Sequence, residues 1–127
     1  VMSKFLYKAL NGEDITIYGD GSQTRTFCFC DDNVDACLKA LYDEKIINDV
    51  INIGGEHEIR IIDLAQKIID ATNSSSKIIH LPPLKDGDMA RRCPDNTKMR
   101  ELLGRDLITI DEGIKKLLAS SQFNINK

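Results

Sequence analysis

The sequence lacks tryptophan and has only three prolines and four cysteines in its 127 residues. The four cysteines are Cys28, Cys30, Cys37 and Cys93. They do not form two pairs at the spacing of zinc ligands, so we expect buried thiols without a metal. No apolar run approaches the roughly 20 residues that span a bilayer, and the first residues lack the apolar segment and cleavage site of a signal peptide. These absences argue against a zinc, membrane or secreted protein, and we expect a cytoplasmic one.

An excess of basic charge is also missing. Lys and Arg total 17 against 20 Asp and Glu, and the resulting net charge of −3 offers no overall attraction to nucleic acid or to an anionic membrane. Hydrophobic residues make up 42% of the chain and charged residues 29%, which is typical of a globular protein. The length therefore predicts one domain over 1–127, in which a local group of arginines could still bind a small phosphate ligand.

Hydrophobic periodicity predicts helices that alternate with short strands. The predicted helices cover 1–11, 33–44, 62–72, 94–103 and 110–121, and the predicted strands cover 15–18, 24–30, 50–53 and 77–81. This alternation is typical of an α/β fold. Asp31 or Asp32 is predicted to cap the helix over 33–44, and the apolar stripe of that helix should face the core. The stripe consists of Val34, Cys37, Leu38 and Leu41.

Three arginines lie next to predicted turns. Arg25 follows a glycine turn, and Arg91 and Arg92 lie in a polar loop. Guanidinium groups bind phosphates with pairs of parallel hydrogen bonds, so converging arginines would suit a phosphate or diphosphate. The alternative is that each arginine forms an ordinary surface ion pair with an acidic neighbour such as Asp88 or Asp95.

Other candidate sites are weak. The strand over 50–53 ends in Gly54-Gly55 ahead of a helix and resembles a nucleotide-binding turn, but the spaced third glycine of a dinucleotide fingerprint is missing. His57 and His80 have no Ser or Cys partner at a recognisable spacing, so no nucleophile–base arrangement is predicted.

The arginines belong to a longer pattern that runs through nearly the whole chain. Residues 18–32 read Tyr-Gly-x-Gly-x-Gln-x-Arg-x-Phe-x-aromatic-x-x-Asp, and residues 88–95 read Asp-x-x-Arg-Arg-x-Pro-Asp. The segments 52–54, 62–72, 98–104 and 111–114 continue the pattern in order. The combination resembles the extended short-chain dehydrogenase/reductases that act on nucleotide sugars, within the NAD-dependent epimerase/dehydratase family. UDP-glucuronate decarboxylases and dTDP-glucose 4,6-dehydratases are the most similar groups.

The resemblance implies that the chain corresponds to the small C-terminal substrate-binding domain of such an enzyme. The glycine-rich dinucleotide turn and the catalytic Tyr-x-x-x-Lys of the N-terminal Rossmann half do not occur in these 127 residues. We therefore expect no catalytic residue, no metal ligand and no bound NAD in this chain.

The resemblance also implies roles for individual residues. Arg25 and Arg92 would contact the diphosphate, with Arg91 as a neighbour. Tyr18 and the Gly19 backbone would line the base and ribose pocket, and Gln23 would lie beside the ligand. Asp32 would be a structural cap, and Asp88 would orient the arginine loop. Three departures from the family stand out. Phe29 replaces a frequent Tyr, and Cys30 replaces the usual Val, which is a mild change. Residues 105–107 read Arg-Asp-Leu instead of Gly-Trp-x-Pro, which should loosen the last turn.

The implied function is substrate binding in an NAD-dependent nucleotide-sugar decarboxylase or dehydratase, similar to UDP-glucuronate decarboxylase. The alternatives are a dTDP-glucose 4,6-dehydratase, a nucleotide-sugar 4-epimerase, or a non-catalytic binding module of another class. The expected partners are a UDP- or dTDP-sugar and the missing Rossmann domain, in a homodimer of the whole enzyme, with no nucleic acid or membrane. A missing partner domain would leave an apolar face exposed.

Overall fold

The computed structural model describes residues 1–43, 46–84 and 87–120. Helices and strands are interspersed along the chain in a mixed α/β fold, as the predicted fold class requires. The helices are α1 (Met2–Leu10), α2 (Cys30–Tyr42), α3 (Ile61–Thr72), α4 (Thr97–Leu103) and α5 (Ile110–Ala119). The strands are β1 (Ile15–Tyr18), β2 (Thr24–Thr26), β3 (Glu58–Arg60), β4 (Ile78–Leu81) and β5 (Arg91–Arg92).

The strands form two small sheets. In the first, β1 pairs with β4 in parallel. In the second, β2 lies between β3 and β5, antiparallel to β3 and parallel to β5. The chain passes from the first sheet to the second through the turn between β1 and β2, which brings this turn and β5 to the same region.

Helices α1, α3 and α5 pack with β1 around the main core. In α3 the residues Ile61, Leu64, Ala65 and Ile68 recur at helical spacing, so one face of the helix is buried and the opposite face remains polar. The other members of this core come from the flanking elements: Phe5, Leu6, Ala9, Ile15, Ile17, Ile59 and Ile114. A smaller cluster of Ala36, Met99 and Leu103 joins α2 to α4.

Several predicted boundaries were wrong. Strand β2 ends at Thr26 rather than at residue 30, and α2 begins at Cys30 rather than at residue 33. The segment 50–53 forms no strand among the described residues, and α4 begins at Thr97 rather than at residue 94. The strands β3 and β5 were not predicted. The predicted helix ends at 44 and 121 lie outside the described residues.

The apolar stripe of α2 does not face the core as predicted. Val34 is 53% exposed, Leu38 49% and Leu41 74%, whereas Ala36 on the opposite side of the helix is fully buried. The stripe, together with Tyr42, forms an apolar surface on the described part of the chain. Surfaces of this kind commonly mark an interface.

We expect this exposed stripe to make the isolated chain self-associate, because association removes apolar surface from water. Replacing Leu38 and Leu41 with Lys should shift the chain towards the monomer, and Tyr7→Lys, on a different helix, serves as the control. Size-exclusion chromatography with light scattering measures the change. A monodisperse monomer of the unsubstituted chain at high concentration would contradict this expectation.

Within the described ranges, no helix is both long enough and apolar enough to cross a membrane.

Candidate functional site

A cleft of about 470 Å³ opens beside the turn between β1 and β2. One wall comes from this turn and the other from the segment that follows β4. The lining residues are Tyr18, Gly19, Asp20, Ser22, Gln23, Pro83, Leu84, Gly87, Asp88 and Ala90. The volume lies in the range of small-molecule sites. Three of the predicted substrate-binding residues, Tyr18, Gly19 and Gln23, line this cleft, whereas Arg92 lines a separate one.

The turn itself is held by glycine and by an aspartate. Gly19 has φ of 71° and Gly21 has φ of 78°, a conformation that disfavours side chains. Asp20 Oδ1 accepts hydrogen bonds from the Ser22 amide at 2.9 Å and from its hydroxyl at 2.7 Å, and these bonds lower the pKa of the Asp20 carboxyl. The Asp20 carboxylate therefore stabilises the turn through the two hydrogen bonds that its Oδ1 accepts.

The predicted base and ribose residues lie along this turn. The Tyr18 residue is 49% exposed at the cleft. The Gln23 amide donates a hydrogen bond to the Tyr18 carbonyl at 3.3 Å, which leaves its own side-chain oxygen available. The Gly19 carbonyl lies 2.8 Å from His80 Nδ1, where the ring nitrogen is the donor because a carbonyl only accepts.

Arg25 is held in one orientation. Its Nη1 donates to the carbonyls of Thr24 and Met89, each at 2.7 Å, and its Nη2 lies 2.7 Å from Asp88 Oδ1. Only 16% of the Arg25 side chain is exposed. The sequence analysis gave an ion pair with Asp88 as the alternative to phosphate binding, and Arg25 forms this pair. The same pair can orient the guanidinium for a ligand.

The register of the second sheet separates the other two arginines. Arg25 lies opposite Arg92 on the adjacent parallel strand, and Thr24 lies opposite Arg91. Opposed residues on neighbouring strands project to the same side of a sheet, so Arg25 and Arg92 share one face and Arg91 lies on the other. Arg92 is exposed and has no hydrogen-bonding or charged partner within 1–43, 46–84 and 87–120.

Arg91 is bound to Glu58, a residue that the sequence analysis missed. Its Nη2 lies 2.7 Å from Glu58 Oε1, and its Nε lies 3.0 Å from the same oxygen and 3.1 Å from Oε2. The Thr24 hydroxyl donates to Glu58 Oε2 at 2.7 Å. Hydrogen bonds from Arg91 and then from Thr24 lower the pKa of Glu58, so it remains a carboxylate. The polar–apolar alternation of Glu58-Ile59-Arg60 was the signal for a strand here.

Gly54 and Gly55, which resemble a nucleotide-binding turn in the sequence, allow close packing in the structure. A Cβ on Gly55 would overlap the carbonyl oxygen of Phe27, and a Cβ on Gly54 would lie 2.6 Å from Pro94 Cγ. Phe27 is two residues after Arg25, and Pro94 is two residues after Arg92. The glycine pair therefore lies between the ends of the two strands that carry these arginines.

Asp32 does not cap α2, so that prediction was wrong. Phe29 is the N-cap residue, and no side chain caps the helix. Asp32 is fully buried in the first turn, where its Oδ1 accepts from Arg105 Nη1 at 2.6 Å and its Oδ2 accepts from the Ile108 amide at 2.8 Å. The segment 105–107 was expected to loosen the last turn, but Arg105 instead connects this segment to α2.

The cysteines form no disulfide. Cys28 and Cys93 are partly buried, while Cys30 and Cys37 are exposed, so the prediction of buried thiols fails for the latter two. Burial and then the nearby Asp32 raise the pKa of the Cys28 thiol, which keeps it protonated. No group of three or more His, Cys, Asp or Glu residues in the described part of the chain is placed to hold a metal ion.

Comparison with known proteins identifies the relatives of this chain. The model of the NAD dependent epimerase/dehydratase family matches residues 1–54. The chain is 39% identical over 124 residues to a UDP-N-acetyl-alpha-D-glucosaminuronate decarboxylase from Bacillus cytotoxicus, covering 93% of this chain and 38% of the relative. It is 37% identical over 119 residues to UDP-glucuronic acid decarboxylase 1 of Danio rerio, covering 93% of this chain and 28% of the relative.

Solved structures agree with the sequence relatives. The UDP-glucose 4-epimerase of Thermotoga maritima with UDP-glucose matches with a TM-score of 0.80 and 31% identity, over 90% of this chain and 36% of that one. A UDP-glucuronic acid 4-epimerase from Bacillus cereus, in complex with UDP-glucuronic acid and NAD, matches with a TM-score of 0.79 and 28% identity. The match covers 90% of this chain and 37% of that chain.

The fold is thus mixed α/β, and the proteins that it resembles are nucleotide-sugar decarboxylases and epimerases. The family model over 1–54 and these relatives confirm the predicted resemblance to the extended short-chain dehydrogenase/reductases that act on nucleotide sugars, and the solved structures confirm the predicted fold class. The chain spans 38% of the length of the Bacillus cytotoxicus relative.

Proposed function

We propose that this chain binds the nucleotide diphosphate of a nucleotide sugar, as the substrate-binding domain of an NAD-dependent decarboxylase or dehydratase similar to UDP-glucuronate decarboxylase. The observation that carries the proposal is the placement of Arg25 and Arg92 opposite each other on adjacent strands, facing the same side. Asp88 orients the first guanidinium, and the second has no partner among the described residues. A diphosphate carries the charge and the oxygen atoms that two such groups bind best.

The nucleoside fits the cleft beside the glycine turn. The half-exposed Tyr18 ring offers a surface for a flat base, and the Gly19 backbone and the free Gln23 oxygen offer polar contacts. Binding energy gained at this end of the substrate would hold the sugar in place for a reaction elsewhere in the enzyme. Arg91, in contrast, is occupied by Glu58 and would contribute indirectly.

NAD would supply oxidation and re-reduction of the sugar in the complete enzyme. Among the described residues Gly54-Gly55 does not form a dinucleotide turn, because the spaced third glycine is missing and both glycines pack closely against Pro94 and Phe27. We assign no catalytic residue to this chain. NAD would be held by a separate Rossmann domain, and we propose a homodimer for the whole enzyme.

Two neighbouring functions remain alternatives. Similarity to the two UDP-sugar 4-epimerase structures supports a nucleotide-sugar 4-epimerase, and a dTDP-glucose 4,6-dehydratase would use the same arginine pair with another base. The higher identity of 39% to a decarboxylase favours the first proposal. A non-catalytic binding module would bind the nucleotide equally well but would function without a Rossmann partner.

We expect Arg92→Ala to weaken UDP binding at least about tenfold, because it removes charge-assisted hydrogen bonds to the diphosphate. Isothermal titration calorimetry or amide chemical shifts measure the dissociation constant. The matched control is Arg100→Ala, since Arg100 is an exposed arginine paired with Glu56 at 2.9 Å outside the cleft, and its loss should change affinity less than about twofold. Equal affinities for the two variants would contradict the proposed site.

A further inference from the structure

Strand β5 consists of Arg91 and Arg92 alone, so its backbone contributes few hydrogen bonds to the sheet. The Thr24 amide donates to the Ala90 carbonyl at 2.9 Å, just before the strand begins. Such a short strand has weakly specified register, and a slip by one residue would exchange the two faces on which its side chains lie. A slip would therefore turn Arg92 away from Arg25.

Glu58 binds all three strands of this sheet through one carboxylate. It belongs to β3, it accepts from the Thr24 hydroxyl on β2, and it accepts three contacts from the Arg91 guanidinium on β5. Only 27% of its side chain is exposed. The carboxylate thereby holds Arg91 on the face opposite to the proposed diphosphate site.

We propose that Glu58 is a positioning residue for nucleotide-diphosphate binding. By fixing Arg91 on one face of the sheet, it keeps the next residue, Arg92, on the other face beside Arg25. This inference rests on the proposed function, because it assigns the reason why Arg92 is available to the ligand. Arg91 and Arg92 are adjacent in sequence, yet the carboxylate gives them different roles.

The test uses charge-conserving and charge-removing variants of Glu58. Glu58→Asp keeps the negative charge but is one methylene shorter, so it cannot reach both Thr24 on β2 and Arg91 on β5 in the same geometry. Glu58→Gln removes the charge and keeps one acceptor. Asp49→Asn is the control, since Asp49 forms a comparable bidentate pair with Lys98, at 2.6 and 2.7 Å, on another part of the surface.

The first readout is amide hydrogen exchange at Thr24, which reports the pairing of β2 with β5 without any ligand. We expect Glu58→Asp and Glu58→Gln to accelerate this exchange about tenfold, while Asp49→Asn leaves it unchanged. The second readout is UDP affinity. Glu58→Asp should weaken binding about threefold, and because it retains the charge, the loss reflects the position of Arg92 rather than a change in the local potential.

A double-mutant cycle separates positioning from simple destabilisation. Arg92→Ala should cost less affinity in the Glu58→Asp background than in the unsubstituted chain, because Arg92 is already misplaced there. The double variant Arg91→Gln/Glu58→Asp should bind UDP no more weakly than either single variant. A purely structural role for Glu58 would leave the cost of Arg92→Ala the same in both backgrounds.

The outcomes distinguish the two proposals. Binding of UDP that is equally tight with Glu58→Asp, or tighter with Glu58→Gln because Arg91 is freed to bind the diphosphate, would overturn the positioning role while leaving the proposed function intact. An unsubstituted chain that binds neither UDP nor dTDP, despite slow exchange at Thr24, would overturn the proposed function and this inference with it.

Discussion

Gly55→Ala is expected to lower the free energy of unfolding by about 3 kcal/mol, because the interior here has no room for a methyl group. The new Cβ would overlap the Phe27 carbonyl oxygen and lie 2.7 Å from its carbonyl carbon. Both atoms belong to the backbone, so the overlap can be relieved only by moving the chain. Denaturation with urea, followed by circular dichroism, measures the loss.

This change should also disturb the candidate site. Phe27 directly follows β2, so moving its backbone would shift the strand that carries Arg25. Asn96 stabilises the same region from the other side, where its buried side-chain amide donates to the Gly54 carbonyl at 2.9 Å. We therefore expect Gly55→Ala to weaken UDP binding as well as stability.

Gly104→Ala provides the matched control. Gly104 has φ of 62°, and a Cβ added there would have no atom within 4 Å, so alanine meets backbone strain without steric overlap. That strain costs about 1 kcal/mol. If Gly55→Ala proves no more harmful than Gly104→Ala, the close approach of residue 55 to Phe27 is not present in solution.

Asp32→Ala is expected to lower the free energy of unfolding by about 3 kcal/mol, because it removes a fully buried carboxylate together with the two hydrogen bonds that this carboxylate accepts. The lost bonds run to Arg105 Nη1 at 2.6 Å and to the Ile108 amide at 2.8 Å. The Ile108 amide precedes α5, so the loss should free the start of that helix from α2. Asp32→Asn retains an acceptor for one bond and should cost less.

The comparison with Asp35→Ala tests whether burial decides this cost. Asp35 binds the other terminal nitrogen of Arg105, Nη2, at 2.7 Å, but its side chain is 51% exposed. An exposed ion pair contributes less than about 1 kcal/mol. Equal losses for Asp32→Ala and Asp35→Ala would mean that the carboxylate of Asp32 is accessible to water.

Long amphipathic elements could be predicted from the sequence because their burial pattern is local. The stripe of α3 placed Ile68 in the core, and strand β1 was predicted with its observed bounds. The family motif also selected Arg25 and Arg92, which the structure brings onto one face. Periodicity alone could not have told Arg91 from Arg92, because that difference depends on the register of two short strands.

The remaining features depend on partners far apart in the chain. Asp32 and Arg105 are 73 residues apart, and Glu58 and Arg91 are 33 apart, so no local pattern links either pair. The stripe of α2 satisfied the rule for a buried helix face, yet Leu41 is 74% exposed in this chain. Hydrophobic periodicity identifies a face that favours burial but does not identify what covers it.

We propose that this chain carries the nucleotide-diphosphate site of a nucleotide-sugar enzyme, and amide chemical shifts with UDP, dTDP and NAD added separately would reveal such a site. We predict saturable shifts with UDP or dTDP, centred on 18–25 and on Arg92, and no shifts with NAD. Silence with both nucleotides at millimolar concentration, or shifts that NAD alone produces at the same residues, would contradict the account.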